Sequence, residues 1–296
     1  MLDKFLDYLL TEQRYSPHTI ASYHRDLQDF THFHFEKEAQ CNIISAEKIH
    51  IRNFIFHCGE IGLSKRTINR KLSAFRSFYN FLLKINEIES SPVENLKSLK
   101  VFSEKQIPYS EEEMENLQKL WTIEEVPMLE ILILETLYQT GMRKAELCNL
   151  LLKNVDFANS KLKIIGKGNK ERIVPISKEL NSSLKKFLNY RKPASSEIEN
   201  FFINKKGKKM NEKFVYRVVN KYLSLVTLKK KKNPHSLRHS FATHLLENGA
   251  KIQEVKKLMG HASLVSTQVY TDANIEQLKK VFNKAHPRAK LKKDIL

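Results

Sequence analysis

The sequence predicts a mainly α fold with a small β component, an α+β class, arranged as two domains. Three observations carry this expectation. Apolar residues recur at helical spacing through residues 1–89, the periodicity lapses over about 90–108, and beyond it the period switches to two over about 161–176.

The elements follow in order. Leu2, Phe5, Leu6 and Leu9 mark a first helix, and the acids in this opening stretch argue against a signal peptide. Ser16 and Pro17 supply a cap and a first-turn proline before a second helix bearing Ile20, Tyr23, Leu27 and Phe30. A third helix, marked by Ile49, Phe54 and Ile55, is expected over about 46–57 and ends near Gly59 and Gly62. The fourth starts at Ser64 and carries Ile68, Leu72, Phe75, Phe78, Tyr79 and Leu82 as its apolar stripe. Its opposite face gathers Lys65, Arg66, Asn69, Arg70, Lys71, Ser73 and Arg76. Such a face suits DNA phosphates, and on its own it is equally an ordinary solvated surface.

Ser90, Ser91, Pro92 and Pro108, with charges between them, read as a linker over about 90–108. The expected domains are therefore a helical one over 1–100 and a mixed one over 107–296. Ser110 followed by three glutamates forms a capped helix start, and a strongly apolar helix from Met128 to Tyr138 stops at Gly141. Lys161–Ile165 and Glu171–Ile176 form a hairpin across Gly166-Lys167-Gly168-Asn169-Lys170. Helices resume at about 178–190, 211–226, 234–248, 251–259 and 274–284.

The balance of charge points to a polyanionic partner. The chain of 296 residues carries 51 Lys and Arg against 33 Asp and Glu, a net charge of +18. Residues 1–100 hold 14 basic against 12 acidic residues and the remainder 37 against 21, so nearly all of the excess lies in the C-terminal two-thirds. Three scattered cysteines (Cys41, Cys58, Cys148) make neither a disulfide framework nor a zinc site, and no apolar stretch approaches the roughly 18 residues a membrane span needs. These features predict a reduced, cytoplasmic protein that binds no membrane.

The densest chemistry lies at 233–244. Asn233 and Pro234 suit an N-cap and first turn, Leu237, Phe241 and Leu245 dock the helix, and His235 with Arg238 share a neighbouring face. A cation pair beside free helix-terminal N–H groups makes a good anion site. His235, His239 and His244 raise a zinc reading, but neither H-E-x-x-H nor C-x-x-C accompanies them. Taken singly, Tyr270 is an ordinary packing residue, Arg143 with Glu146 an ordinary ion pair, and Gly166-Lys167-Gly168 an ordinary turn. The glycines of 166–168 match no P-loop, and paired acids for two-metal chemistry are not evident.

Their joint occurrence is more specific. T-G-M-R-K-A-E-L (140–147), G-K-G-N-K-E-R (166–172), H-S-L-R-H-S-F-A-T-H (235–244), L-M-G-H (258–261) and T-Q-V-Y-T (267–271), in this order, closely resemble the catalytic signature of the tyrosine recombinases. S-P-H-T-I-A-S-Y-H-R-D-L (16–27) and T-I-N-R-K-L-S-A-F-R-S-F-Y (67–79) resemble that family's core-binding domain, and A-H-P-R-A (285–289) resembles the terminus of its Xer-type members. With these motifs at the start of the sequence, the extra arm-binding domain of many phage integrases is not expected.

The resemblance implies a C-shaped DNA clamp, with a helical SAM-like core-binding domain joined to a tyrosine-recombinase catalytic domain. It implies Tyr270 as nucleophile, Arg143 and Arg238 as clamps on the scissile phosphate, His235 and His261 as aids to proton movement, and Lys167 as the acid protonating the leaving 5′-oxygen. Glu146 falls where the family orients its first arginine. Lys65, Arg66, Asn69, Arg70 and Lys71 are the candidate DNA contacts. No cofactor and no metal are implied. The implied partners are double-stranded DNA bearing a specific site, a homo- or hetero-tetramer on two synapsed sites, a paralogous recombinase and a septal DNA translocase. The implied task is resolution of chromosome dimers through a Holliday junction. A mobile-element integrase or invertase shares this chemistry, and a type IB topoisomerase uses similar residues without choosing a site. Asp272, where the family often has histidine, and the seven residues after A-H-P-R-A depart from its pattern.

Overall fold

The computed structural model describes residues 1–35, 43–101, 106–123, 125–260 and 272–290. The chain divides into two compact units, Met1–Glu104 and Lys105–Leu296, each built around its own apolar core.

The described residues of the first unit form four helices: α1 (Leu2–Thr11), α2 (Pro17–Phe35), α3 (Lys48–Glu60) and α4 (Lys65–Lys84). Their core is rich in aromatic rings, with Phe30 seated 5.1 Å from Phe75 and 5.3 Å from Phe54 between ring centroids. Ser64 caps α4, its hydroxyl accepting from the Thr67 amide at 3.2 Å. On α3 the inward stripe is Ile51, Phe54 and Cys58, whereas Ile49 is exposed. The stripe thus starts two residues later than the apolar residues suggest, because Ile51 and not Ile49 shares a face with Phe54 and Cys58.

The basic face of α4 is also narrower than its sequence implies. Lys71 is buried, its ammonium 3.1 Å from Asp26 Oδ1 and 2.6 Å from Asp29 Oδ2. Arg70 donates to the same Asp26 carboxylate and to the Ser22 carbonyl. Asp26 has no exposed surface, and a carboxylate taken out of water needs such partners. The packing of α2 on α4 therefore consumes these two cations. Asn69 exchanges a pair of hydrogen bonds with the Leu99 backbone, at 2.9 and 2.8 Å. Arg76 donates to Ser98 Oγ at 3.1 Å and to the Leu96 carbonyl at 2.5 Å. Lys65 and Arg66 remain exposed.

Those bonds fasten the first part of the expected linker to this unit, where Val93 is buried and Leu96 and Leu99 pack against the core. The last part is fastened to the other unit: Gln106 Nε2 donates to Ser236 Oγ at 2.7 Å and the Tyr109 amide to Ser240 Oγ at 2.7 Å. Sequence periodicity cannot reveal such anchoring, since irregular backbone can be held by side chains far along the chain.

The second unit opens with α5 (Glu111–Ile123), where Ser110 and Glu113 cap each other reciprocally. Next come α6 (Met128–Thr140) and the short α7 (Lys144–Cys148). A three-stranded antiparallel sheet in the order β1 (Val155–Asp156), β2 (Lys161–Ile165), β3 (Glu171–Pro175) follows. The remaining helices are α8 (Lys178–Tyr190), α9 (Glu212–Val226), α10 (Pro234–Glu247), α11 (Ile252–Met259), α12 (Asp272–Ala285) and α13 (Pro287–Lys290). Every residue of α6 from Leu132 to Thr140 is buried, as its all-round apolar sequence demands. It is the central rod, packing against α8, α9 and α10. Gly141 ends it at φ 57°, and a Cβ there would lie 2.4 Å from the Phe241 ring of α10, so glycine is required twice over. None of the described helices is long and apolar enough to cross a membrane.

Candidate active site

Three segments meet around one carboxylate. Directly after the Gly141 turn, Arg143 is the N-cap of α7 and Glu146 its third residue. Glu146 reaches back in a capping arrangement, accepting from the Arg143 amide at 2.8 Å and from Arg143 Nη1 at 2.9 Å. From β3, Arg172 forks onto the same carboxylate, Nη1 to Oε1 at 3.1 Å and Nη2 to Oε2 at 2.7 Å. Its Nε donates to the Leu258 carbonyl at 3.0 Å, at the end of α11. Burial alone would raise the Glu146 carboxyl, but the Arg172 fork and then Arg143 outweigh it and hold the group below its usual range.

Arg238 completes the cluster. The cap at its helix start is as expected, Asn233 Oδ1 accepting from the Ser236 amide at 3.0 Å with Pro234 in the first turn. However, Arg238 does not share an open face with His235: it is buried, whereas His235 is exposed. The Arg238 guanidinium passes inward, donating to the Gly141 carbonyl and to the Met259 carbonyl, the latter at 2.6 Å. Burial, then the nearby charges of Arg143 and Arg172, bring its pKa down to about 10, still well protonated at neutral pH. Among these groups only Arg143 is open, its side chain 48% exposed against 5% for Glu146. Three arginines against one carboxylate leave an excess of positive charge with one guanidinium facing out, which suits an anionic ligand.

The other candidates are reached less completely. Lys167 is on the turn between β2 and β3, placed there by the left-handed backbone of Gly168 and Asn169. His261 and Tyr270 lie outside the described residues. Gly260, which ends α11, has φ 64°, and a Cβ there would meet Arg172 Cδ at 2.9 Å. His244 is not available as a ligand: its Nε2 must donate to the Tyr109 carbonyl at 2.7 Å, so its Nδ1 accepts from the Tyr138 hydroxyl at 2.8 Å.

Arg172 is the member that sequence reasoning did not single out. Its signal was the alternation of the strand, which puts Arg172 on the same inward face as Val174. An arginine at an inward strand position needs a buried anion, and Glu146 is that anion.

Residues 109–277 match the phage integrase family, and residues 2–86 match the phage integrase N-terminal SAM-like domain. The chain belongs to the phage integrase family. Full-length relatives in this family are named tyrosine recombinase XerC. That of Pelotomaculum thermopropionicum is 36% identical over 304 residues, covering 98% of each chain. That of Staphylococcus aureus is 37% identical over 294 residues, covering 97% of each. Solved recombinases share the fold. XerH bound to a palindromic difH substrate, in a post-cleavage complex, gives a TM-score of 0.70 at 24% identity, over 96% of this chain and 84% of that one. The Tn1549 transposon integrase in complex with transposon right end DNA gives 0.69 at 20% identity, over 94% and 98%. The phage integrase fold of this chain is thus a helical SAM-like domain followed by a mainly helical catalytic domain with a small sheet.

Proposed function

We propose that the chain is a site-specific tyrosine recombinase of Xer type that resolves chromosome dimers in the cytoplasm. The observation that carries the chemistry is the convergence of Arg143, Arg172 and Arg238 about Glu146, with the Arg143 guanidinium open to a ligand. A phosphodiester repels nucleophiles and gathers further charge on its non-bridging oxygens as it is attacked. Permanently charged planar guanidiniums in a partly dry setting stabilise that charge.

In the proposed reaction Tyr270 Oη attacks the scissile phosphorus, the P–O5′ bond breaks, and Lys167 gives a proton to the departing 5′-oxygen. Arg143 and Arg238 hold the non-bridging oxygens, and His235 and His261 assist proton movement. The product is a 3′-phosphotyrosyl bond and a free 5′-hydroxyl. Phenolate is a competent leaving group, so the 5′-hydroxyl of another strand can reverse the step and conserve the bond energy. The balance calls for no external energy source.

The biological assignment rests on relatives named XerC at 36–37% identity over nearly the whole chain. It carries a tetramer on two synapsed DNA sites, a paralogous recombinase, and activation by a septal DNA translocase. A mobile-element integrase is the second reading, favoured by the fold shared with the Tn1549 integrase.

The test is denaturing capture of genomic DNA covalently attached to the protein in EDTA, comparing wild type with Tyr270→Phe. Adducts formed by wild type alone and concentrated at one chromosomal locus are expected. Adducts at the ends of a mobile element would favour the second reading, and scattered adducts a topoisomerase. Adducts retained by Tyr270→Phe would overturn the nucleophile.

A further inference from the structure

Glu146 has every acceptor position occupied, and the two arginines that occupy them differ in kind. Arg143 is half exposed and belongs to the same short turn. Arg172 is buried, lies 26 residues along the chain, and satisfies its third donor on a different element. Each carboxylate oxygen is shared: Oε1 takes Arg143 Nη1 and Arg172 Nη1, and Oε2 takes the Arg143 amide and Arg172 Nη2. Without Arg172 the whole carboxylate charge would fall on Arg143, the one guanidinium that faces outward. Two successive carbonyls at the end of α11, Leu258 and Met259, are taken by Arg172 and Arg238 respectively. These are orphan acceptors of a helix terminus, and guanidiniums satisfy them where no further helical turn can. Gly260 then lies against the aliphatic part of Arg172.

We propose that Arg172 is a positioning residue for strand cleavage. Its guanidinium holds the Glu146 carboxylate away from full pairing with Arg143, leaving the Arg143 guanidinium directed at the phosphate. The same group locks the β2–β3 hairpin, which bears Lys167, to the end of α11, which leads to His261. One buried fork thereby keeps three segments of the catalytic unit in a common register. This inference rests on the recombinase reading above.

The experiment uses the full chain and a nicked duplex built from the sequence that wild type captures covalently. Single-turnover cleavage and equilibrium binding to that duplex are measured for wild type, Arg172→Lys, Arg172→Met, Arg143→Ala and the Arg143→Ala/Arg172→Met double variant. Arg172→Met is expected to slow cleavage on the order of 100-fold, as misplacement of a reacting group by an ångström does, with affinity for the duplex changed less than about threefold. Arg172→Lys, which keeps the charge and loses the fork, should fall between. In the Arg143→Ala background Arg172→Met should cost several-fold less than it does in wild type, because the effect exerted through Arg143 is already gone and only the hold on the hairpin and on the end of α11 remains.

Fully additive losses, or equal losses of binding and cleavage, would make Arg172 a structural residue only and overturn the inference. Should Arg172→Met not fold, Arg172→Lys decides: slowed cleavage at unchanged affinity supports positioning, and wild-type cleavage overturns it. If wild type itself forms no adduct, the recombinase reading falls first and the inference with it. If wild type cleaves and the Arg172 variants match it, the inference alone falls.

Discussion

Arg238 shows what a guanidinium does here that an ammonium could not. Two of its nitrogens donate to carbonyls on different segments, Gly141 and Met259, and it keeps its charge although buried. A lysine offers one nitrogen on a flexible stem and cannot span both carbonyls, still less hold a phosphate as proposed for Arg238. Arg238→Lys should therefore lower the single-turnover cleavage rate by about 10²–10³-fold, with modest loss of affinity in a binding titration. At this scale the local pairings and caps were legible, whereas the inward turn of Arg238 away from His235 was not. Arg143 and Glu146 are three residues apart on one turn, and the Asn233 cap and Pro234 are local signals. Arg172 and Lys71 were not, because their meaning depends on partners 26 to 45 residues away. A lysine read from its helix face looks solvated until the helix that covers it is in place.

Individual elements carry two further expectations. The segment formed by α12 and α13 closes on α6 through His286, which stacks on Phe282 at 4.8 Å and accepts from the Arg288 amide at 3.1 Å. Arg288 forks onto Glu135 of α6, both contacts at 3.0 Å. An accepting, buried ring must be neutral, and burial pushes the His286 pKa down to about 3. The unfolded ring, at about 6.5, binds a proton more readily than the folded one. Stability is then complete above about pH 6.5 and is lost as pH falls toward 3, at up to about 1.4 kcal/mol per pH unit for this residue. Urea unfolding at stepped pH should show this decline, and His286→Phe should flatten it. On α4, Lys71→Ala would leave the buried Asp26 with Arg70 but without its buried ammonium partner, and should destabilise the first unit by about 1–3 kcal/mol in a denaturant titration. Arg66→Ala, at an exposed position, should stay within about 0.5 kcal/mol. Long periodic helices and the hairpin were readable because their patterns repeat, whereas α7, α13 and β1 are too short to establish a period.

For the whole molecule, the uneven distribution of charge sets the response to salt. With the excess in the C-terminal two-thirds, association with DNA should weaken steeply between 50 and 200 mM salt, by about 10³–10⁵-fold if six to ten phosphates are neutralised. Fluorescence anisotropy at stepped salt checks this, and a flat profile would show that the surplus cations do not meet phosphates. The division into two units was visible as a lapse in periodicity, but the lapse is wider than the division. Residues up to Leu99 are tied to the first unit and those from Gln106 to the second. That asymmetry prescribes where two related chains can be spliced. A hybrid joined between 100 and 105 inherits both sets of ties intact. A hybrid joined at 90 would instead ask a foreign Val93, Leu96 and Leu99 to fit an aromatic core they were not selected with, and would misfold at the seam however well its two halves match DNA.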